Sequence, residues 1–360
     1  MTDPDGHTLF NHDAQHCYSG MDTVPGFGYY ASRVLALSSP GDTVQLPAEL
    51  ADDYPHVMEH YNAVGLDCAR NIVWTLDPAA VAELPGARYS VYRFRSAHHR
   101  LRPNERRLAA TNRFENKNRF LELCRYHGFP VPETRFFGAG EPPRLDGLPF
   151  PVLVKQATDA GGASIRACTS LADVREAAAM APAEYQIQES LTASAFLNVL
   201  YRAGPGGAEH VATTTQIMRG FQHAGNQYPA RTDPRPVTDP VADVLAREGL
   251  EEMLGIDVAV TEHGLRLLEV NARYNSASYP AGIARVLGAQ QWTALQMRTR
   301  FRTVRQLARS LGELRYDPRH RAGVVLVNWG PVIVGEIGVL LISDDADLTG
   351  LGAEVAAALR

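Results

Sequence analysis

Glu269, Asn271 and Arg273 alternate with apolar residues along Leu267-Leu268-Glu269-Val270-Asn271-Ala272-Arg273. Residues i, i+2 and i+4 of a strand share one face, so this spacing sets a carboxylate, an amide and a guanidinium side by side. Two hard oxygen ligands suit magnesium, and a neighbouring guanidinium suits phosphate or a developing oxyanion. A strand with one wet face shows the same alternation. A second carboxylate favours the metal reading. Asp257 lies near the start of Ile256-Asp257-Val258-Ala259-Val260, and Glu262-His263-Gly264 reads as the turn into the first stretch. The antiparallel hairpin brings Asp257 beside Glu269. Like charges at that distance repel strongly, and a divalent cation is the usual remedy.

Other groups suit a polyphosphate. Leu148 to Lys155 reads as a buried strand ending in a lysine, with Asp159-Ala160-Gly161-Gly162-Ala163-Ser164 directly behind it. Backbone N–H groups can close on phosphates where no Cβ intervenes, and the lysine neutralises charge. A hairpin turn with a terminal lysine is the plainer alternative. The P-loop pattern, Gly-Lys-Ser/Thr opening a helix, is absent. Lys117 sits in the first turn of a helix expected over 116–126 and ending at Gly128. Tyr185 to Leu191 alternates as a strand that could offer backbone groups to an adenine edge. Residues 220–240 are rich in Gly, Pro, Asn and Arg and read as one long loop, of a length often functional. Arg219, His223, Arg231 and Arg235 make it locally basic, suited to a carboxylate or simply to solvent. Gly26-Phe27-Gly28 reads as a structural turn ahead of nucleotide contact, and His12/His16 and His98/His99 as core or surface histidines.

These groups need a scaffold, and 360 residues imply two or three domains. Residues 1–110 read as a small α/β unit: strands at 42–46 and 71–76, helices at 29–37, 49–64 and 78–84, with parallel pairing. Further helices are expected at 171–180, 241–254 (ending at Gly255), 290–311 and 345–360, and strands at 198–202, 211–218, 323–328 and 333–343. The net charge of −5 gives no footprint for nucleic acid. No apolar run approaches the roughly 18 residues of a membrane span. The stretch Met1 to His7 is acidic and polar, unlike a signal peptide. Cys17, Cys68, Cys124 and Cys168 are widely spaced and fit reduced core thiols. A cytoplasmic location is the expectation.

Taken in order, the pieces over residues 112 to 292 resemble the ATP-grasp superfamily. The resemblance places its helix lysine on Lys117, its strand lysine on Lys155 and its glycine-rich flap on Gly161, Gly162 and Ser164. The adenine hinge falls on Gln188-Glu189-Ser190-Leu191, with backbone atoms near Glu189 and Leu191 meeting the base. The metal set falls on Asp257, Glu269 and Asn271, and the following arginine on Arg273. The implied fold is α/β (α+β), an ATP-grasp fold behind a pre-ATP-grasp domain. The expected domains are 1–110, 111–292 (a small subdomain to about 190, a large one from 191) and 293–360. The last either completes the large subdomain or forms a small extra domain. One departure concerns the ribose: many members carry a carboxylate after the hinge, where this chain has Thr192-Ala193-Ser194-Ala195-Phe196. Ser194 or Asn198 would have to substitute.

The resemblance implies ATP-dependent joining of a carboxylate to an amine through an acylphosphate, releasing ADP and phosphate. The cofactors implied are ATP and one or two Mg²⁺, with Mn²⁺ as the alternative metal. Lys155 and Arg273 take the catalytic roles, and Arg219, His223, Arg231, Asn275 and Ser276 are the substrate candidates. Residues 220–229 and the C-terminal extension look most similar to peptide and amino-acid ligases of natural-product pathways, the pheganomycin-type ligase among them. The expected partners are a small carboxylate and an amine (an amino acid or short peptide), with a second copy of the chain as a further candidate and no nucleic acid or membrane. Carboxylase or thiol-ligase chemistry, and a nucleotide-binding protein without catalysis, are the alternatives.

Overall fold

The computed structural model describes the chain except residues 1–5, 19–20, 85–87, 146, 148, 159–161, 163, 182 and 345–347. The chain divides into two compact units: Met1–Leu108 with Gly225–Pro229 and Arg273–Arg360, and Ala109–Ala224 with Ala230–Ala272.

The first unit opens on a parallel sheet in the order Asn71–Val73, Thr43–Gln45, Thr8–Asn11, Arg88–Val91. The parallel pairing follows the sequence expectation. The strands Thr8–Asn11 and Arg88–Val91 did not stand out, because each is four residues long and mixes polar with apolar residues. Helix Tyr54–Val64 ends at Gly65, whose φ of 87° is the left-handed conformation a C-cap requires. A second, antiparallel sheet runs Gly225–Tyr228, Trp292–Arg298, Glu336–Ser343, Ala322–Asn328.

That sheet corrects two expectations. Residues 220–240 are not a loop: Gln222–Tyr228 is a strand, and helix Arg235–Arg247 follows. The strand is almost wholly polar, so alternation could not show it. It is fixed by packing instead: a Cβ on Gly225 would lie 2.2 Å from the Ala294 carbonyl oxygen, and Tyr228 stacks on Trp292 at 5.6 Å. Nor is 290–311 one helix. Trp292–Arg298 is a strand, and helix Val304–Leu311 starts afresh at Thr303, whose hydroxyl accepts from Gln306 N at 3.3 Å.

The second unit holds two antiparallel sheets. One runs Gly264–Asn271, Glu252–Thr261, Ala193–Gly204, Gly207–Arg219; the other runs Thr134–Phe137, Tyr185–Glu189, Val152–Gln156, Arg166–Cys168. Helix Lys117–Tyr126 lies against strand Gly264–Asn271, and its Phe120, Leu121 and Cys124 share a core with Leu197, Val199, Ile256, Val258 and Leu267. Burying a side chain such as Phe120 contributes about 2–3 kcal/mol. Asn116 caps this helix by accepting from Asn118 N at 3.0 Å and Arg119 N at 3.4 Å.

The helix expected at 241–254 starts and stops earlier, at Arg235–Arg247. Pro236 sits in its first turn, where a missing N–H costs nothing, and Pro240 gives up a single bond one turn on. Gly249 (φ 109°), not Gly255, ends it, and Leu250 N closes on Leu245 O at 3.1 Å. Residues 252–254 are thereby released to lengthen the next strand. Cys17, Cys68, Cys124 and Cys168 are buried and form no disulfide among the described residues, as the spacing implied. Among the described residues, no helix is long and apolar enough to cross a membrane.

Candidate active site

The hairpin Glu252–Thr261/Gly264–Asn271 sets the geometry of the site. Its register pairs Asp257 with Glu269 and Gly255 with Asn271, as the turn at Glu262–Gly264 implied. The register then shifts, pairing Val258 with Leu267, so Leu268 is an extra residue beside the carboxylate pair. Such bulges re-aim neighbouring side chains. On its other edge Asp257 pairs with Asn198, and Asn198 with Thr214.

Asp257 accepts hydrogen bonds from three side-chain amides. Asn198 Nδ2 and Gln216 Nε2 reach Oδ1 at 2.5 and 2.8 Å, and Asn271 Nδ2 reaches Oδ2 at 3.2 Å. Burial, and then the facing charge of Glu269, push the Asp257 carboxyl well up, while the Asn198 and Asn271 amides pull the other way. Lys117 Nζ lies 3.2 Å from Glu269 Oε2, and its position follows from the helix start: its own N–H donates to Ala157 O at 2.8 Å. Two carboxylates, an amide and a buried ammonium therefore converge on one face of the hairpin.

A second cationic group projects from the other sheet of the same unit. Lys155 is 8 % exposed, and its Nζ donates to Gln188 Oε1 at 2.7 Å. Gln188 Nε2 in turn donates to Thr134 Oγ1 at 3.1 Å. The Glu189 N–H is taken by Glu133 O at 2.9 Å, and its carboxylate accepts from Glu133 N at 2.8 Å. Any base edge at this hinge is left the Glu189 carbonyl and the half-buried Leu191.

Gly161 lies outside the described residues. Gly162 has φ 75°, and a Cβ there would sit 2.2 Å from the Phe221 carbonyl oxygen, so glycine is required twice over. Ser164 Oγ accepts from Gln156 N at 3.2 Å, tying the loop to the Lys155 strand. Gly162 thus abuts the turn that follows Arg219 and leads to His223. Arg219 and Arg231 are exposed and His223 is half-buried.

Arg273, Asn275 and Ser276 belong to the first unit. Strand Gly264–Asn271 stops before Arg273, so the shared face foreseen for Glu269, Asn271 and Arg273 does not extend that far. Arg273 follows Asn271 by two residues; its Nε donates to the Tyr18 hydroxyl, and its guanidinium lies 5.6 Å from the Tyr18 and Tyr92 ring centres. Asn275 Oδ1 accepts from Ala277 N at 3.0 Å and Ser278 N at 3.2 Å, which starts helix Ser278–Leu287. Ser276 is exposed. Asn198, weighed for a ribose, instead holds Asp257, and Ser194 Oγ donates to Val260 O at 3.2 Å.

Sequence reading missed Gln216, whose polar period with Thr214 on a strand was the available signal. It also missed Tyr18, Tyr92 and Arg33. Arg33 is 8 % exposed, and its guanidinium lies 4.5–5.5 Å from the ring centres of Tyr30, Tyr92 and Tyr279.

The model of the ATP-grasp domain family matches residues 114–277. No curated protein sequence matches the chain. Among solved structures, an N5-carboxyaminoimidazole synthetase from Staphylococcus aureus complexed with ADP is similar in fold (TM-score 0.62, 12 % identity, 99 % of this chain and 97 % of that one). So are an L-amino acid ligase from Bacillus licheniformis (TM-score 0.58, 12 %, 97 % and 98 %) and a biotin carboxylase–β-γ-ATP complex from Campylobacter jejuni (TM-score 0.58, 13 %, 94 % and 88 %). The strand lysine, the flap loop and the carboxylate hairpin all lie inside the matched segment. The chain has the ATP-grasp fold, and residues 114–277 are its ATP-grasp domain.

Proposed function

We propose that this chain is an ATP-dependent carboxylate–amine ligase that forms an amide or peptide bond through an acylphosphate. The observation that carries the reading is the cross-strand pair Asp257–Glu269, with Asn271 beside it and Lys117 on Glu269, inside an ATP-grasp domain. Phosphoryl transfer needs positioning and charge neutralisation more than covalent participation, and this cluster offers both.

The residues fit a divalent cation. Two facing carboxylates, one of them with its carboxyl pushed up by burial and then by the other's charge, are a pair that a cation would relieve. Together with an amide they are hard oxygen donors of the kind magnesium takes, and manganese accepts the same set. No cluster of three or more His, Cys, Asp or Glu suited to a metal occurs among the described residues, so Asn271 is needed to complete this one. Asp257, Glu269 and Asn271 would hold one or two ions, which when bound supply positive charge to the β- and γ-phosphates.

The chain's own groups do the rest. Lys117 and Lys155 neutralise phosphate oxygens from buried positions, where a fixed charge acts more strongly than in water. The loop at Gly162 covers the phosphates, which keeps an acylphosphate from water. Arg273 is assigned to the charge of the transferred phosphoryl group and of the tetrahedral oxyanion formed when the amine attacks. Glu189 and Leu191 backbone atoms meet the adenine.

Arg219 and Arg231, both exposed, are assigned to a substrate carboxylate. An arginine–carboxylate contact of about 1.5–3 kcal/mol corresponds to a KM increase of about tenfold or more on removal. Arg219→Ala or Arg231→Ala is expected to raise the KM for the amino-acid substrate by that factor, with kcat changed much less. Unchanged KM in both variants would remove the assignment. A second reading, with bicarbonate as the carboxylate, is favoured by the likeness to the carboxyaminoimidazole synthetase and the biotin carboxylase. A screen for ADP release across pairs of amino acids, small carboxylates and bicarbonate separates the two. ADP release that needs both an organic carboxylate and an amine supports ligation; release with bicarbonate alone as the carboxylate supports the second reading.

A further inference from the structure

The helical stretch Phe27–Leu37 carries a buried charge that the ligation chemistry leaves without a task. Arg33 is 8 % exposed, and arginines buried to that degree are ordinarily paired. Its Nε donates to Tyr30 O at 3.0 Å. Its Nη1 and Nη2 donate to no group among the described residues, and no described carboxylate forms an ion pair with it. Neither Nη atom is sealed from solvent.

Three rings of the first unit surround the guanidinium. Its carbon lies 5.0 Å from the ring centre of Tyr30, 5.5 Å from that of Tyr92 and 4.5 Å from that of Tyr279. Ring faces attract the cation, but they accept hydrogen bonds weakly and do not replace an oxygen at its N–H edge. With Nε taken, the donors left are those of the two Nη atoms, side by side at the end of the fork. That end matches the two oxygens of one carboxylate. Tyr92 is 7 % exposed, and its hydroxyl also has no hydrogen-bond partner among the described residues.

The neighbours do not compete for the charge. His12 Nδ1 shares a hydrogen bond of 2.9 Å with the Tyr279 hydroxyl. Burial, and then the charge of Arg33, pull the His12 imidazole well down, so it stays neutral, and burial pushes the Tyr279 hydroxyl up. Glu336 accepts from the Tyr30 hydroxyl at 3.4 Å. One fork serves a carboxylate in full, whereas a phosphate dianion has a third oxygen and a second charge to place.

The cage also adjoins the arginine assigned to the reaction. The Arg273 guanidinium lies 5.6 Å from the centre of the same Tyr92 ring. Ligation of two amino acids consumes one carboxylate and retains the other on the molecule that brings the amine. We propose that Arg33 binds the retained carboxylate: Nη1 and Nη2 hold, end on, an amino acid whose amine is the nucleophile, so the acceptor is an amino acid and not a plain amine. The carboxylate site stands on the Arg33 cage, and the acceptor role rests on the ligase reading.

The test uses the full-length chain in two arms. In the first, glycine is titrated into protein labelled with ¹⁵N-arginine and followed by NMR, with methylamine (glycine without its carboxylate) and inorganic phosphate as controls. Arg33→Lys identifies the Arg33 signal. Glycine is expected to shift that signal saturably, with both controls at least tenfold weaker. Absence of a saturable shift, or an equal shift with either control, would overturn the proposal. In the second arm, ADP release is measured with each standard amino acid as acceptor and with the amine that each becomes on losing its carboxylate. Arg33→Met is expected to raise the KM of the amino-acid acceptor at least tenfold and that of the plain amine much less, so the preference for the acid collapses; Arg33→Lys recovers part of it. A lowered melting temperature with equal losses for both acceptors would make Arg33 structural, and a KM change for the donor alone would put a dicarboxylate donor on it; either result overturns the proposal. Glycine binding at Arg33 with no ADP release from any pair would support the carboxylate site and remove the ligase reading.

Discussion

Glu269→Gln is expected to lower ADP release by about 10²–10³-fold while the protein stays folded. The substitution keeps the side chain's shape and removes one of the two facing carboxylates. A cation between Asp257 and Glu269 then loses half of its anionic ligands, and Asn271 cannot make up the charge. Two effects on stability oppose each other. Lys117, buried, loses its partner at 3.2 Å, while Asp257 is relieved of the charge that faces it. The net change is expected to be within about 1 kcal/mol, or roughly 2–4 °C in a domain of this size. Circular dichroism melts and a coupled ADP assay read the two quantities separately. Undiminished turnover in a folded variant would sink the metal assignment.

Lys155→Met should separate function from stability even more clearly. Lys155 is 8 % exposed, and its ammonium donates to an amide oxygen, Gln188 Oε1, at 2.7 Å. Holding a charge there costs desolvation energy, and replacing it with an unbranched apolar chain removes that cost. Against this, Gln188 loses a hydrogen bond, a loss of about 1–3 kcal/mol where the oxygen stays buried. The two roughly cancel, so the variant is expected to melt near the wild-type temperature. Turnover is expected to fall at least 10²-fold, because a buried cation aimed at phosphate acts in a low-dielectric setting. A large drop in melting temperature with a matching partial loss of activity would make Lys155 a structural residue instead.

What was legible in the sequence was local. Asp257 and Glu269 could be paired in advance because one turn, Glu262-His263-Gly264, joins their strands, and a short turn fixes register. Lys117, Lys155 and the glycine loop stand beside element boundaries marked by Asn116, Gly128 and the loop itself. The non-local part was hidden. Asn198 and Gln216 meet Asp257 across strands 59 and 41 residues away in sequence, and no local pattern sets that register. Strand Trp292–Arg298 falls inside the long basic stretch 290–311, which reads as one helix. Its fate is decided by pairing with Glu336–Ser343 and Gly225–Tyr228. The helix at Arg247 ends at Gly249 and not at Gly255 because Gly249 takes the positive φ of 109°, a matter of backbone geometry that the residue type alone does not show. The Asp257–Glu269 register was thus within reach, whereas the amides that hold Asp257 were not.

Ligation through an acylphosphate makes one demand that no other reading of this site shares in full. Oxygen from the organic carboxylate must leave in the phosphate. With a carboxylate–amine pair that supports ADP release, the carboxylate is labelled with ¹⁸O and the released phosphate is analysed by mass spectrometry. The predicted result is one ¹⁸O per phosphate, dependent on the amine for multiple turnovers and lost in Glu269→Gln. Phosphate that carries no label while ADP is released would contradict the acylphosphate route.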